Sequence, residues 1–169
     1  MLNVIRGLYI DATKKGTPRK LFLAGHSMGG ALAIIAGARL AYEEDIEISA
    51  VYTTGAPRVF NRDMAKHFDA KINFGTPLKA KCFRGRNNND MVPRVPTGPS
   101  FAHIGTQINF DRNGRLGEPS FLDHLRGRWD SLKSSCVFFD GIEDHAAEVY
   151  LRIYQQAWAA GVHGTEGSG

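Results

Sequence analysis

Apolar positions near the start of the chain recur at helical spacing. Leu2, Ile5, Leu8, Tyr9 and Ala12 share one side of a helix, and Gly16 with Pro18 ends it. Lys20 to Gly25 reads as a short strand around Leu-Phe-Leu-Ala, apolar on both faces as a central parallel strand would be. From Met28 to Glu43 the Gly-, Ala- and Ile-rich pattern predicts a helix buried on most sides. Ser49 to Thr54 is a second strand, and Asn61 caps a helix running to Ala70. Ala80 to Arg84 is a third strand, followed by a polar loop from Gly85 to Asp90. Pro93 and Pro96 forbid a regular continuation. Thr106 to Phe110 is a further strand, and Asn113-Gly114 marks a tight turn. Ser120 can cap a helix whose face is Phe121, Leu125, Trp129 and Leu132. Val137 to Phe139 is a short extended piece, and a last helix runs from Ala146 to Ala159. Strand and helix alternate without an internal repeat, which predicts the α/β class with a mainly parallel sheet flanked by helices. Residues 1–160 read as a single domain, and the Gly-rich 161–169 as a flexible tail.

Composition narrows the class. The chain is 43% hydrophobic and 22% charged, enough apolar material for one sizeable core. No stretch approaches the roughly 18 to 20 uncharged apolar residues of a membrane span. Arg6 and Asp11 interrupt the first apolar positions, so Met1 to Lys20 does not read as a signal peptide. The net charge of +4 is scattered rather than concentrated in a run, which fits a solvated surface, and no nucleic-acid motif accompanies it. Cys82 and Cys136 sit in apolar, strand-like surroundings and read as buried free thiols. With no H-E-x-x-H or paired-Cys motif, neither a metal nor a cofactor is expected. The run from Asp111 to Gly114 lacks the spacing of a calcium loop and reads as a turn.

The chemistry centres on Gly25-His26-Ser27-Met28-Gly29, a G-x-S-x-G pattern between a predicted strand and a predicted helix. In that context the serine sits on a sharp turn that lifts its hydroxyl above the sheet. Residues two before and two after it are expected to approach too closely for side chains, hence Gly25 and Gly29. The helix start supplies free N–H groups and the positive dipole end, and the Met28 N–H is the oxyanion donor this geometry predicts. A plain Gly-rich turn is the bland alternative, and the flanking strand and helix weigh against it. His26 lies inside the pattern and is expected to pack beside it.

A serine hydroxyl needs a base to take its proton, and the base needs a carboxylate to orient it. The chain order Ser, acid, His restricts the candidates. Asp90 follows a strand and precedes Met-Val-Pro, at the kind of strand end where a catalytic carboxylate belongs. Asp111 and Asp123 are explained by turn and helix-start chemistry. Among histidines after Asp90, His163 lies in the tail. His145 stands at a loop-to-helix junction from which a ring could reach Ser27, while His103 and His124 remain open on the residues alone.

Five stretches in order are similar to the class 3 lipases, the fungal-lipase-like α/β-hydrolases. Residues 23–33 resemble the family's elbow, 52–59 its next strand and loop, and 89–96 the segment holding its acid. Residues 101–105 resemble its aromatic-x-His-x-Gly segment, and 144–150 the segment with its catalytic histidine. The resemblance covers nearly all of residues 15–155. It implies an α/β-hydrolase fold, Ser27, Asp90 and His145 as the catalytic set, and hydrolysis of carboxylic esters of lipids, typically acylglycerols. The implied partner is a lipid or small ester substrate, with lipid-surface contact.

The family carries further strands, a lid and a second oxyanion donor before the elbow, and none of those parts is found ahead of the elbow strand in this sequence. The expectation is therefore a domain incomplete at its N-terminus, or a sheet completed by another chain. The compartment would be cytoplasmic for a complete chain and secreted for one that has lost a leader. Two other readings stay in play. One is a non-catalytic lipid-surface or interaction module with a vestigial site, and the other is acyl transfer to an acceptor other than water.

Overall fold

The computed structural model describes residues 2–16, 20–87, 90–110 and 144–159. Along the chain come helix α1 (Leu2–Lys14), strand β1 (Phe22–His26), helix α2 (Met28–Glu43) and strand β2 (Ala50–Thr54). Next are β3 (Phe60–Asn61), α3 (Arg62–Ala70), β4 (Ile72–Asn73), β5 (Thr76–Pro77), the single turn α4 (Leu78–Lys81) and β6 (Cys82–Asn87). A 3-10 turn at Val92–Arg94, β7 (Phe101–Ala102), β8 (Thr106–Phe110) and α5 (Ala147–Ala159) complete the order.

β1, β2, β6 and β8 pair in that order as a parallel sheet. Side chains alternate across it. Leu23 and Val51 point to the face covered by α2, where a Cβ on Gly37 would stand 3.3 Å from a Leu23 methyl and 3.4 Å from a Val51 methyl. Ile108 and Phe110 point to the other face, where they meet Val149, Ile153 and Ala157 of α5. Helices on both faces are what a parallel sheet requires. The main core gathers Ile34, Leu40, Ile48, Phe68 and Leu78, each 2% exposed or less. Burial of one such side chain is worth about 1.5 to 3 kcal/mol.

The predicted α2 and β8 agree with the structure at both ends, and Asn61 does cap α3. Its side chain accepts the Met64 N–H at 2.8 Å. Three differences have physical causes. β1 is the end strand of the described sheet rather than a central one, so Phe22 is 55% exposed while Leu23 is covered. β6 starts two residues later than predicted and runs on to Asn87, through residues read as a loop. Its polar side chains hide it, yet they are spent inside the fold: the Arg84 Nε donates to the Ile104 carbonyl. The small pairs β3–β7 and β4–β5 carry no alternating pattern at two residues each. The β4–β5 pair turns on Phe74 and Gly75, both at positive φ, the geometry of a tight hairpin.

Buried Asn73 closes a seam beneath this hairpin. It accepts the Ile48 N–H at 2.8 Å, donates to the Ile46 carbonyl at 2.9 Å, and its own carbonyl accepts from Lys81 Nζ at 2.7 Å. Cys82 is a buried free thiol, pushed up to about 12 by burial, and so stays protonated. The turn at Asn113, the helix expected after Ser120, Cys136, Val137 to Phe139 and the tail lie outside the described residues. Among the described residues no helix is long and apolar enough to cross a membrane.

Candidate active site

β1 ends at His26 and α2 begins at Met28, leaving Ser27 alone to make the turn. Its backbone takes φ 56 and ψ −126, a conformation that costs an L-residue about 1 to 3 kcal/mol. The elements on either side hold it there. Ser27 donates its N–H to the Thr54 carbonyl at 2.9 Å, and its own carbonyl accepts from Gly30 and Ala31 at 3.0 and 3.2 Å. Ile34 and Leu40, buried from α2, supply more than enough to offset the strain. With Gly30 and Ala31 engaged, the Met28 and Gly29 N–H groups are the free donors of the first turn.

Glycine is required at Gly25, where a Cβ would stand 2.2 Å from the Gly29 carbonyl oxygen. Gly29 departs from expectation, because nothing lies within 4 Å of its Cβ position. The crowding falls one residue later: a Cβ on Gly30 would stand 2.8 Å from the Ala56 Cβ. Position 29 faces outward on the first turn of α2, whereas position 30 faces the sheet.

The Ser27 Oγ lies 2.8 Å from Nε2 of His145, in the turn ahead of α5. The Nδ1 of the same ring lies 3.0 and 3.1 Å from the two carboxylate oxygens of Asp90. Asp90 sits just beyond β6, wholly buried, and its Oδ1 accepts the Val92 N–H at 2.9 Å. Its Oδ2 accepts the Tyr150 hydroxyl at 2.6 Å. A buried carboxylate is tolerable only when bonded in this way. Gly55 makes room for the line. Its φ is +60, and a Cβ there would stand 2.9 Å from both Asp90 Oδ2 and His145 Cε1.

His26 packs beside the elbow as expected. Its ring stacks on that of His145 with centroids 4.8 Å apart, and its Nδ1 is 3.0 Å from the Thr54 hydroxyl. Burial, with His145 second, lowers its proton affinity. His103 stands apart from the line. Its Nε2 donates to the Pro93 carbonyl at 2.7 Å, tying the chain before β8 to the loop after Asp90. Burial, then nearby Arg84, lowers His103 to about 4. Arg58 clasps the same loop through the Arg94 and Pro96 carbonyls, each at 2.7 Å.

Of the sequence candidates, the structure brings Ser27, Asp90 and His145 into one hydrogen-bonded line and places His103 elsewhere. Asp111, Asp123, His124 and His163 lie outside the described residues. Sequence reasoning passed over Tyr150, Gly55, Gly30 and Asn87, whose side-chain N–H donates to the Asp144 carbonyl at 3.0 Å beside His145. Gly55 and Tyr150 stand inside the stretches 52–59 and 144–150, but only three dimensions give them partners.

Comparison with known proteins gives the family and the fold. The family model described as lipase (class 3) matches residues 9–99, a span that includes Ser27 and Asp90. The triacylglycerol lipase OBL1 of Nicotiana tabacum is 36% identical, over 92% of this chain and 28% of its own length. That of Ricinus communis is 37% identical, over 82% of this chain and 28% of its own. This chain thus spans under a third of the length of these curated relatives. Among solved structures, the lipase of Rhizomucor miehei in complex with its propeptide superposes with a TM-score of 0.51 at 28% identity. That superposition covers 68% of this chain and 36% of the other. The fold is that of the α/β-hydrolases. Because the matched span exceeds half of the 169 residues, the chain belongs to the class 3 lipase family.

Proposed function

We propose that this chain carries the catalytic set of a serine hydrolase that cleaves carboxylic esters of lipids, acylglycerols above all. One observation carries the reading: the continuous hydrogen-bonded line from the Ser27 hydroxyl through His145 to buried Asp90, at 2.8 and 3.0 Å. Accepting the serine proton at Nε2 leaves the ring N–H on Nδ1, aimed at the carboxylate, which is the tautomer a base needs. Ser27 attacks the ester carbonyl as its proton passes to His145, and the Met28 N–H receives the developing oxyanion. His145 then protonates the leaving alcohol, an acyl-enzyme remains on Ser27, and water activated by the same ring releases the acid. The names of the plant relatives, both triacylglycerol lipases, support the substrate class.

The test is hydrolysis of a soluble short-chain chromogenic ester by the 169-residue chain beside its Ser27→Ala variant. The expected outcome is turnover in the parent chain that falls at least about a thousandfold in the variant. Folded protein that does not turn over the ester, or a variant that still does, overturns the reading.

A further inference from the structure

The catalytic line proposed above does not end at Asp90. The Tyr150 hydroxyl donates to Oδ2 of that carboxylate at 2.6 Å, the oxygen that also lies 3.0 Å from the His145 ring. Its direction is fixed from behind. The backbone N–H of Asn87 donates to the same phenol oxygen at 3.0 Å, so one lone pair is occupied and the O–H is left to point at Asp90. Tyr150 is 2% exposed, and burial, helped by the Asp90 hydrogen bond, raises its proton affinity well above the ordinary phenol range. It therefore stays a neutral donor wherever a serine hydrolase works. Its ring also packs against His26, with centroids 5.4 Å apart, on the side of the site where His26 stacks on His145.

We infer that Tyr150 is a positioning residue that holds Oδ2 of Asp90 and moderates the pull of that carboxylate on His145. This rests on the hydrolase reading for its catalytic meaning. The physical argument is competition at one anion. Asp90 accepts from Val92 N–H, from His145 and from Tyr150. Each donor disperses its charge, and a charge-assisted donor at 2.6 Å disperses much of it. Remove the phenol O–H and the carboxylate draws harder on the remaining mobile partner, the His145 N–H. The ring then keeps a proton to higher pH, where a protonated base cannot accept one from Ser27. Among the described residues, the charged and titratable groups facing this spot are His26 from β1, His145 ahead of α5, Arg86 from β6 and Tyr154 from α5. Of these, His145 shares the Asp90 carboxylate directly.

Tyr150→Phe removes the hydroxyl and keeps the ring against His26. Two readouts test it in the full chain. In ester hydrolysis, the acid limb of the kcat/KM profile moves to higher pH by about half a unit or more, against Ser27→Ala as the blank. In proton NMR, the low-field resonance of the His145–Asp90 hydrogen bond moves further downfield. A role in packing alone would lower activity by the same factor at every pH and leave the limb in place, and that result overturns the inference. So does a resonance that stays put or vanishes in the folded variant. If the parent chain fails to hydrolyse any ester, the hydrolase reading falls, and the resonance by itself decides whether Tyr150 moderates Asp90.

Discussion

At the scale of single residues, Gly55 shows how little slack the site has. Its positive φ disfavours any side chain by about 1 kcal/mol. The larger effect is local, because a methyl there would press on Asp90 Oδ2 and His145 together. Displacements near 1 Å in a catalytic array cost on the order of a hundredfold. Gly55→Ala should therefore lower kcat on a soluble ester at least about tenfold with little change in KM, measured by steady-state kinetics. The two glycines of the elbow should separate in the same spirit. Gly25→Ala meets the Gly29 backbone and should unfold the elbow, whereas Gly29→Ala enters open space on a helix and should leave the melting temperature level or raised. The sequence pattern alone treats these two positions as equals. Only the way α2 leaves the turn, with position 29 outward and position 30 inward, tells them apart.

At the scale of elements, a capped helix can be tested alone. Asn61→Ala removes the acceptor for the Met64 N–H and should destabilise the chain by about 1 kcal/mol in urea unfolding. An unchanged midpoint would mean that the helix is held by packing of Phe68 and Ala65 and not by its cap. Elements like this one were legible because their signals are local: a cap residue, an apolar stripe, a strand followed by G-x-S-x-G. The less legible ones depend on distant partners. The second half of β6, from Gly85 to Asn87, reads as a loop until the Asn87 amide is seen to meet the Asp144 carbonyl far along the chain. Chain order and a strand-end position pointed to Asp90, whereas for the histidine they left His103 and His124 open beside His145, and the likeness of residues 144–150 to the family's segment made the choice. Tyr150 was not legible, because a tyrosine on a helix with an apolar face looks like core until its hydroxyl is seen against a carboxylate.

At the scale of the whole molecule, burial of histidines ties stability to pH. His103 is neutral in the fold down to about 4, while in an unfolded chain it takes up a proton near 6.5. Below pH 6.5 the unfolded state therefore binds a proton that the folded state refuses, and stability falls until about pH 4, where both states hold it. For a single group of this displacement the loss reaches roughly 3 kcal/mol. Burial pushes His26 the same way. His103→Asn should be less stable than the parent at pH 7 yet lose less between pH 7 and pH 4.5, as read by urea unfolding at the two values. Equal losses in both proteins would assign the acid sensitivity to other groups.

The contact between Ser27 and His145 spans 118 positions of the chain. Contacts of that reach form late, since a long loop must close before anything rewards its closure. Until α5 docks, Ser27 is an ordinary alcohol on an unfinished sheet. Recovery of ester hydrolysis after dilution from denaturant should accordingly lag behind recovery of helical signal, so that the activity times the last step of folding.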